Sequence, residues 1–166
     1  MTTPTAPDLV PLDWLKAAFA TRAAAYANIF DVLRDAFGTA RAIDLVSEAT
    51  RRMGLTMSEK FKDLAPANLV GLGERFLSGI PAGDTLFAPE VRRSDAEKLD
   101  IKFHRCPLKE AWLAMGRSEA DVALLCQAAG AIDGGLFKAA GFIFKSETWQ
   151  PGDEGCCHLE ITPGQP

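Results

Sequence analysis

All the cysteines and both histidines of this chain lie between positions 104 and 158, so any thiol or imidazole chemistry belongs to the C-terminal part. They fall into three groups: His104-Arg105-Cys106, then Cys126, then Cys156-Cys157-His158. A thiolate is a strong nucleophile and a soft metal ligand, and a neighbouring cation favours it over the thiol. Arg105 gives Cys106 such a neighbour. Structural zinc is usually held by C-x₂₋₄-C or H-x₃₋₅-H spacing. The close pairs here, His104-x-Cys106 and Cys156-Cys157-His158, follow neither pattern, and no metal is expected. A zinc-binding module would need His104, Cys106, Cys126 and Cys157 to converge from separate segments. No glycine-rich phosphate loop, nucleophile elbow or Ser-His-Asp arrangement can be read from the sequence.

Each thiol also has a plain structural reading, because cysteine is often a small buried hydrophobe. Cys126 follows Leu124-Leu125 on an apolar helix. Cys157 is in phase with Leu159 and Ile161, so strand alternation turns it toward a core and turns Cys156, His158 and Glu160 the other way. By the same alternation His104 and Cys106 lie opposite Leu99, Ile101 and Phe103. Asp133, seven residues after Cys126, is near the same helix face. Lys145, Ser146, Glu147 and Thr148 alternate on a strand, where a solvated face is the simplest reading.

The elements that must hold these residues follow from periodicity. Residues 1–11, with three prolines, read as a flexible leader, and 12–166 as a single domain. Asp13 is a candidate N-cap for a helix to Phe37, stopped by Gly38. A second helix is expected over about 39–53, ending at Gly54, and Thr56-Met57-Ser58-Glu59 has the capping-box spacing to start a third. Pro66 is expected to open another helix, broken at Gly79 and Pro81. Thr85 to Val91 is a candidate short strand, and Lys98 to Cys106 alternates as a second. Pro107 leads into a helix, Ser118 caps a longer one toward Leu136, and Gly141 to Trp149 forms a strand. A turn at Pro151–Gly155 then brings Cys156–Ile161 back as its partner. Helices first and strands later predict an α+β fold: a helical N-terminal half and an antiparallel sheet of about four strands, covered by helices on one face.

Composition narrows the function classes. The net charge of −4 gives no footprint for nucleic acid. No apolar run approaches the ~20 residues of a membrane span, and the first residues lack a signal-peptide pattern. A cytoplasmic protein is expected, acting on a small-molecule substrate or ligand without nucleic acid, membrane or cofactor; a homodimer is left open. In a reducing compartment the cysteines are expected to be free.

An ordered series of motifs resembles the L-2-amino-thiazoline-4-carboxylic acid hydrolase family over roughly residues 40–161. Phe103-His104-Arg105-Cys106 is similar to its strand ending in Arg-Cys, and Cys126 to its helical cysteine. Lys145-Ser146-Glu147-Thr148 with Gly152 resembles its Arg-Thr-x-Thr strand and glycine turn. Cys157-His158-Leu159-Glu160-Ile161 resembles its Cys-Asp-Phe-x-Phe ending, and Ala42-Ile43 to Gly54 is a looser echo. The chain departs from the family pattern at Ala129, where an acid is usual, and at Lys145, Ser146 and His158. The resemblance implies a hydrolase that opens a thiazoline-type ring acid by adding water at its C=N carbon. It implies Cys106, Cys126 or Cys157 as nucleophile and His104 or Asp133 as acid/base. Lys145 or Arg105 would meet the substrate carboxylate, with Ser146 and Thr148 as hydroxyl donors. The same ending also resembles small-molecule-binding domains of the vinyl reductase type, which would make the pocket a sensor without catalysis.

Overall fold

In the computed structural model, which describes residues 10–165, six helices and four strands follow in the order α1 (Leu12–Phe37), α2 (Thr39–Ser58), α3 (Leu69–Ser78), α4 (Gly83–Leu86), β1 (Pro89–Ser94), β2 (Leu99–Phe103), α5 (Pro107–Ala114), α6 (Glu119–Ala140), β3 (Ile143–Glu147) and β4 (His158–Thr162). The expected leader lies outside the described residues, except for Val10 and Pro11, and Pro11 is the N-cap of α1. Asp13 therefore sits inside the first turn, where its charge suits the positive end of the helix dipole.

The largest departure from the sequence reading is at α2, which runs through both the expected stop at Gly54 and the expected capping box to Ser58. Gly54 is a packing residue, not a terminator. A Cβ there would lie 2.0 Å from the carbonyl oxygen of Ile132, and one at Gly135 would lie 2.2 Å from that of Arg51. The two glycines let the backbones of α2 and α6 touch, and the buried Thr50 hydroxyl donates to the Ala128 carbonyl across the crossing. The Ser58 hydroxyl bonds back to the Leu55 carbonyl at 2.7 Å instead of capping a new helix.

Two smaller differences follow from local chemistry. The helix expected at Pro66 begins at Leu69, because the Asn68 side chain accepts from the Gly71 N–H at 3.0 Å and acts as the N-cap. The strand expected over Thr85–Val91 starts only at Pro89. Residues Gly83–Leu86 form one helical turn, and Ala88 adopts a positive φ before the strand.

The sheet has the order β1-β2-β4-β3 and every pairing is antiparallel. Its inner face presents Leu99, Ile101, Phe103, Leu159, Ile161 and Phe144 to Leu69 and Leu72 of α3 and to Leu136 and Phe137 of α6. Phe137 stacks on Phe144 with ring centroids 5.3 Å apart. The outer face carries Asp100, Lys102, Lys145, His158 and Glu160, so helices cover one side only. A second core joins α1, α5 and α6, where the Trp112 indole N–H donates to the Ala23 carbonyl at 2.8 Å. Arg34 and Arg117 tie Asp31 of α1 to Asp121 of α6.

Helix α6 reaches 22 residues with a mean hydropathy of 1.3 over its most apolar window, long and apolar enough by composition to cross a membrane, against the sequence expectation. Its apolar residues pack against α2, the sheet and the second core, and half of that window is buried in the protein. A helix clamped on several sides needs apolar residues nearly all round.

The Gly54–Gly135 crossing makes a direct prediction. Gly54→Ala has to push α2 away from α6 and is expected to cost about 2–3 kcal/mol, as overpacking of a tight core does. Urea unfolding reads this as a lower midpoint at unchanged slope. An unchanged midpoint would contradict so close a crossing.

Candidate functional site

The site begins with a mismatch in the β2–β4 ladder. Phe103 gives its N–H to the carbonyl of Cys157 at 2.9 Å, while its own carbonyl accepts from the N–H of Cys156 at 2.8 Å. Two residues thus face one, which is a β-bulge. The bulge breaks the alternation that the sequence implied. Cys156 is only 3% exposed and packs in the α1/α5/α6 core, and Cys157 packs against both cores. The expectation that Cys156 points outward with His158 is therefore corrected. Gly155 makes the approach possible: its φ is +75°, and a Cβ would meet Phe103 and His104 backbone atoms at 3.2 Å. Lys102 donates to the Cys156 carbonyl at 2.9 Å and Lys109 to the Gly155 carbonyl, fastening the segment from both sides.

Cys106 is corrected in the same way. Strand β2 ends at Phe103, and the chain turns so that Cys106 becomes the N-cap of α5, half-buried against the core and away from exposed His104. Cys126 comes from the middle of α6 and is 4% exposed. All four cysteines are free thiols. The Cys156 and Cys157 sulfurs are 3.5 Å apart, and either can donate to the other. Hydrogen bonding with Cys106, Cys126 and Cys157, together with the Lys109 ammonium, lowers the pKa of the Cys156 thiol against the opposing cost of burial. The other three thiols are shifted upward, first by hydrogen bonding with Cys156 and then by burial.

Asp133, one helical turn below Ala129 on α6, stands beside this group. Burial lifts its carboxyl to about 7, with the Arg22 guanidinium pulling it down and Cys156 pushing it up. Among the described residues no hydrogen bond supports the carboxylate. It is partly buried and keeps some accessible surface, as do Cys106 and Cys157. Arg22 reaches toward it from α1. Its Nε donates to the Tyr26 hydroxyl at 3.1 Å, and its guanidinium lies 5.1 Å from the centre of that ring. Among the described residues it has no carboxylate partner. Sequence reasoning missed both Cys156 and Arg22; the bulge and the α1–α6 approach that place them have no local sequence signature.

The remaining candidates lie elsewhere. His104 is exposed and bonds Glu90 at 2.8 Å, and Arg105 is held by Glu110 and the Thr85 carbonyl. Lys145, Ser146 and Thr148 line a groove of about 740 Å³ between α6 and the edge strand β3, together with Arg51, Gln127 and Lys138. This groove contains none of the cysteines and not Asp133. No hydrogen bond joins Ser146 or Thr148 to His158, whose Nε2 is 2.7 Å from Asp100. Asp100, His158 and Glu160 form the one group among the described residues whose ligand atoms approach as a metal would require. Lys98, at 3.0 Å from Asp100 and 2.8 Å from Glu160, already balances their charge.

Fold and site together define a small α+β protein with a buried thiol–acid centre between its sheet and its helices. The family model of L-2-amino-thiazoline-4-carboxylic acid hydrolase matches residues 18–161, and the chain belongs to that family. The match starts inside α1, well before the stretch near residue 40 where sequence motifs become readable. No curated protein and no solved structure gives a match.

The Asp133 carboxyl sets a pH dependence. Its folded value of about 7 lies above its ordinary 3.8, so the folded state binds its proton more tightly than the unfolded chain does. Stability from this group is full at low pH and is lost as pH rises from about 4 through about 7. Urea midpoints measured from pH 5 to 8 are expected to fall for the native sequence relative to Asp133→Asn, which cannot ionise. Parallel curves would contradict the shifted carboxyl.

Proposed function

We propose that the chain hydrolyses a small ring acid of the 2-amino-thiazoline-4-carboxylate type, with Cys156 as nucleophile and Asp133 as acid and base. The observation that carries this reading is the packing of Cys106, Cys126 and Cys157 about Cys156 in one core, beside an Asp133 carboxyl without a salt-bridge partner among the described residues. The Cys156 thiolate adds to the amidine-like carbon between ring nitrogen and ring sulfur, while Asp133 gives its proton to the ring. Collapse breaks the carbon–sulfur bond of the ring, and the freed sulfur takes the proton. The carbon stays on Cys156 as an isothiourea. Water then attacks it, Asp133 takes the water proton, and Cys156 leaves as thiolate. The net change is one water added and an N-carbamoyl amino thiol released. A carboxyl near 7 suits both proton transfers at neutral pH.

Arg22 supplies the grip for the substrate carboxylate in this scheme. Its Nε is engaged by Tyr26, and its two terminal amino groups offer the paired donors that match a carboxylate. The scheme also calls for a reducing, cytoplasmic setting, because an oxidised thiol centre could not turn over.

A second reading rests on the groove at β3. Lys138, Lys145 and Arg51 around Ser146, Thr148 and Phe144 suit an anionic ligand with an apolar part, bound without chemistry. The two readings separate on variants. Cys156→Ser is expected to lower kcat/KM for the thiazoline acid by about 1,000-fold or more, while Lys145→Ala leaves it within about threefold. Arg22→Gln is expected to raise KM by about 10- to 100-fold with little change in kcat, the size of one lost charge-assisted contact. Turnover that survives Cys156→Ser but is lost on Lys145→Ala would move the function to the groove.

A further inference from the structure

The two edges of the sheet are finished differently. At one edge, β1 opens on Pro89 and is bulged between Val91 and Arg93. Its charges are matched within the chain: Glu90 bonds Arg92 and His104, and Arg93 bonds Asp95 and Glu97. Proline, a bulge and edge charges are means by which proteins close an edge to other strands. The opposite edge, β3, has neither proline nor bulge, and its five residues pair with β4 in unbroken register. Half of the N–H and C=O groups of such a strand point away from its one neighbour. Among the described residues, no backbone hydrogen bond outside the sheet ladder reaches residues 143–148.

The charges on β3 are also left open. Lys145 stands opposite Glu160 of β4, but Lys98 holds that carboxylate at 2.8 Å, and Lys145 has no ion pair among the described residues. The Glu147 side chain is 87% exposed and meets only the His158 Nδ1, at 3.9 Å. We propose that β3 pairs antiparallel with β3 of a second copy of this chain, about a two-fold axis at Ser146, joining two four-stranded sheets into one. In that register Ser146 faces its own counterpart, and Lys145 of each copy stands opposite Glu147 of the other. Directly opposed side chains are ~4.5–5.5 Å apart at Cβ, within reach of an ion pair. Two-fold self-pairing needs a strand that complements its own reversal, and Lys-Ser-Glu does so. A register centred on Lys145 would set that lysine against itself, and one centred on Glu147 would do the same to the glutamate. On the inner face the Ser146 register sets Phe144 across from Thr148. Both line the groove beside α6, so the grooves of the two copies meet near the axis.

Sedimentation equilibrium of the full-length protein across the micromolar range tests this. The native chain is expected to reach twice its mass of 17.9 kDa. Lys145→Glu and Glu147→Lys each set like charges opposite one another twice, and each is expected to raise the dimer Kd about tenfold or more. Mixed in equal amounts, the two single variants are expected to regain the native Kd as a heterodimer, because each then offers the charge that the other lacks. Both side chains are exposed, so a native urea midpoint in each variant checks that the fold is kept. The inference is overturned if the native chain stays at 17.9 kDa, if either single variant dimerises as tightly as the native chain, or if mixing the two restores nothing. These readouts do not depend on turnover, so they stand or fall apart from the hydrolase reading.

Discussion

Everything at the candidate site depends on the two-to-one pairing between Phe103 and the Cys156–Cys157 pair. Had β4 kept a regular ladder, alternation would have placed one of these thiols among the charges of the outer face and left the cluster without its centre. The bulge turns both inward and sets Cys156 between the start of α5 and the middle of α6. The cost of this irregular backbone is offset by fixed partners: Lys102 and Lys109 take the carbonyls of Cys156 and Gly155, and Trp149 closes the preceding turn through the Asp153 carbonyl. Bulges recur next to active sites because they re-aim side chains that a regular strand could not present.

A second constraint positions the acid. Helix α6 carries Cys126 in the core shared with α1 and α5, and Asp133 two turns further on, and its place is set by the backbone contact with α2 at Gly54 and Gly135. From the other side, the Trp112–Ala23 hydrogen bond and the Arg34, Arg117, Asp31 and Asp121 network fix α1 against α5 and α6. Arg22 is thereby brought within electrostatic reach of Asp133 without closing a salt bridge on it. A carboxyl left enclosed and unpaired is costly for folding, and such groups persist where function uses them.

Much of the fold was legible in the chain because its signals are local. The alternation of Leu99, Ile101 and Phe103, the Ser118 cap and the turn at Pro151–Gly155 fixed the strand and helix order, and with it the α+β class. Where the reading failed, tertiary contact decided. Gly54 looks like a helix stop in sequence and is a crossing point in space. Thr56–Glu59 has the letters of a capping box, yet the helix continues because its neighbour packs along it. At the site, Cys126, Cys157 and Asp133 could be named from residue type and phase, while Cys106 was named for its arginine neighbour and its inward turn comes only with the start of α5. His104 and Arg105 share their segment but turn outward into ion pairs once β2 ends. Cys156 was misplaced because a bulge cannot be deduced from alternation, and Arg22 because only the packing of α1 gives it a role.

The central claim is that Cys156 is the reactive thiol of a site that admits a small acid. The most direct measurement is the rate at which each of the four cysteines is alkylated at pH 7, located by mass spectrometry, with and without a thiazoline carboxylate. The account predicts that Cys156 reacts far faster than Cys106, Cys126 and Cys157, and that the acid protects it. Uniformly slow labelling, unaffected by the acid, would make the four thiols packing residues and contradict the account.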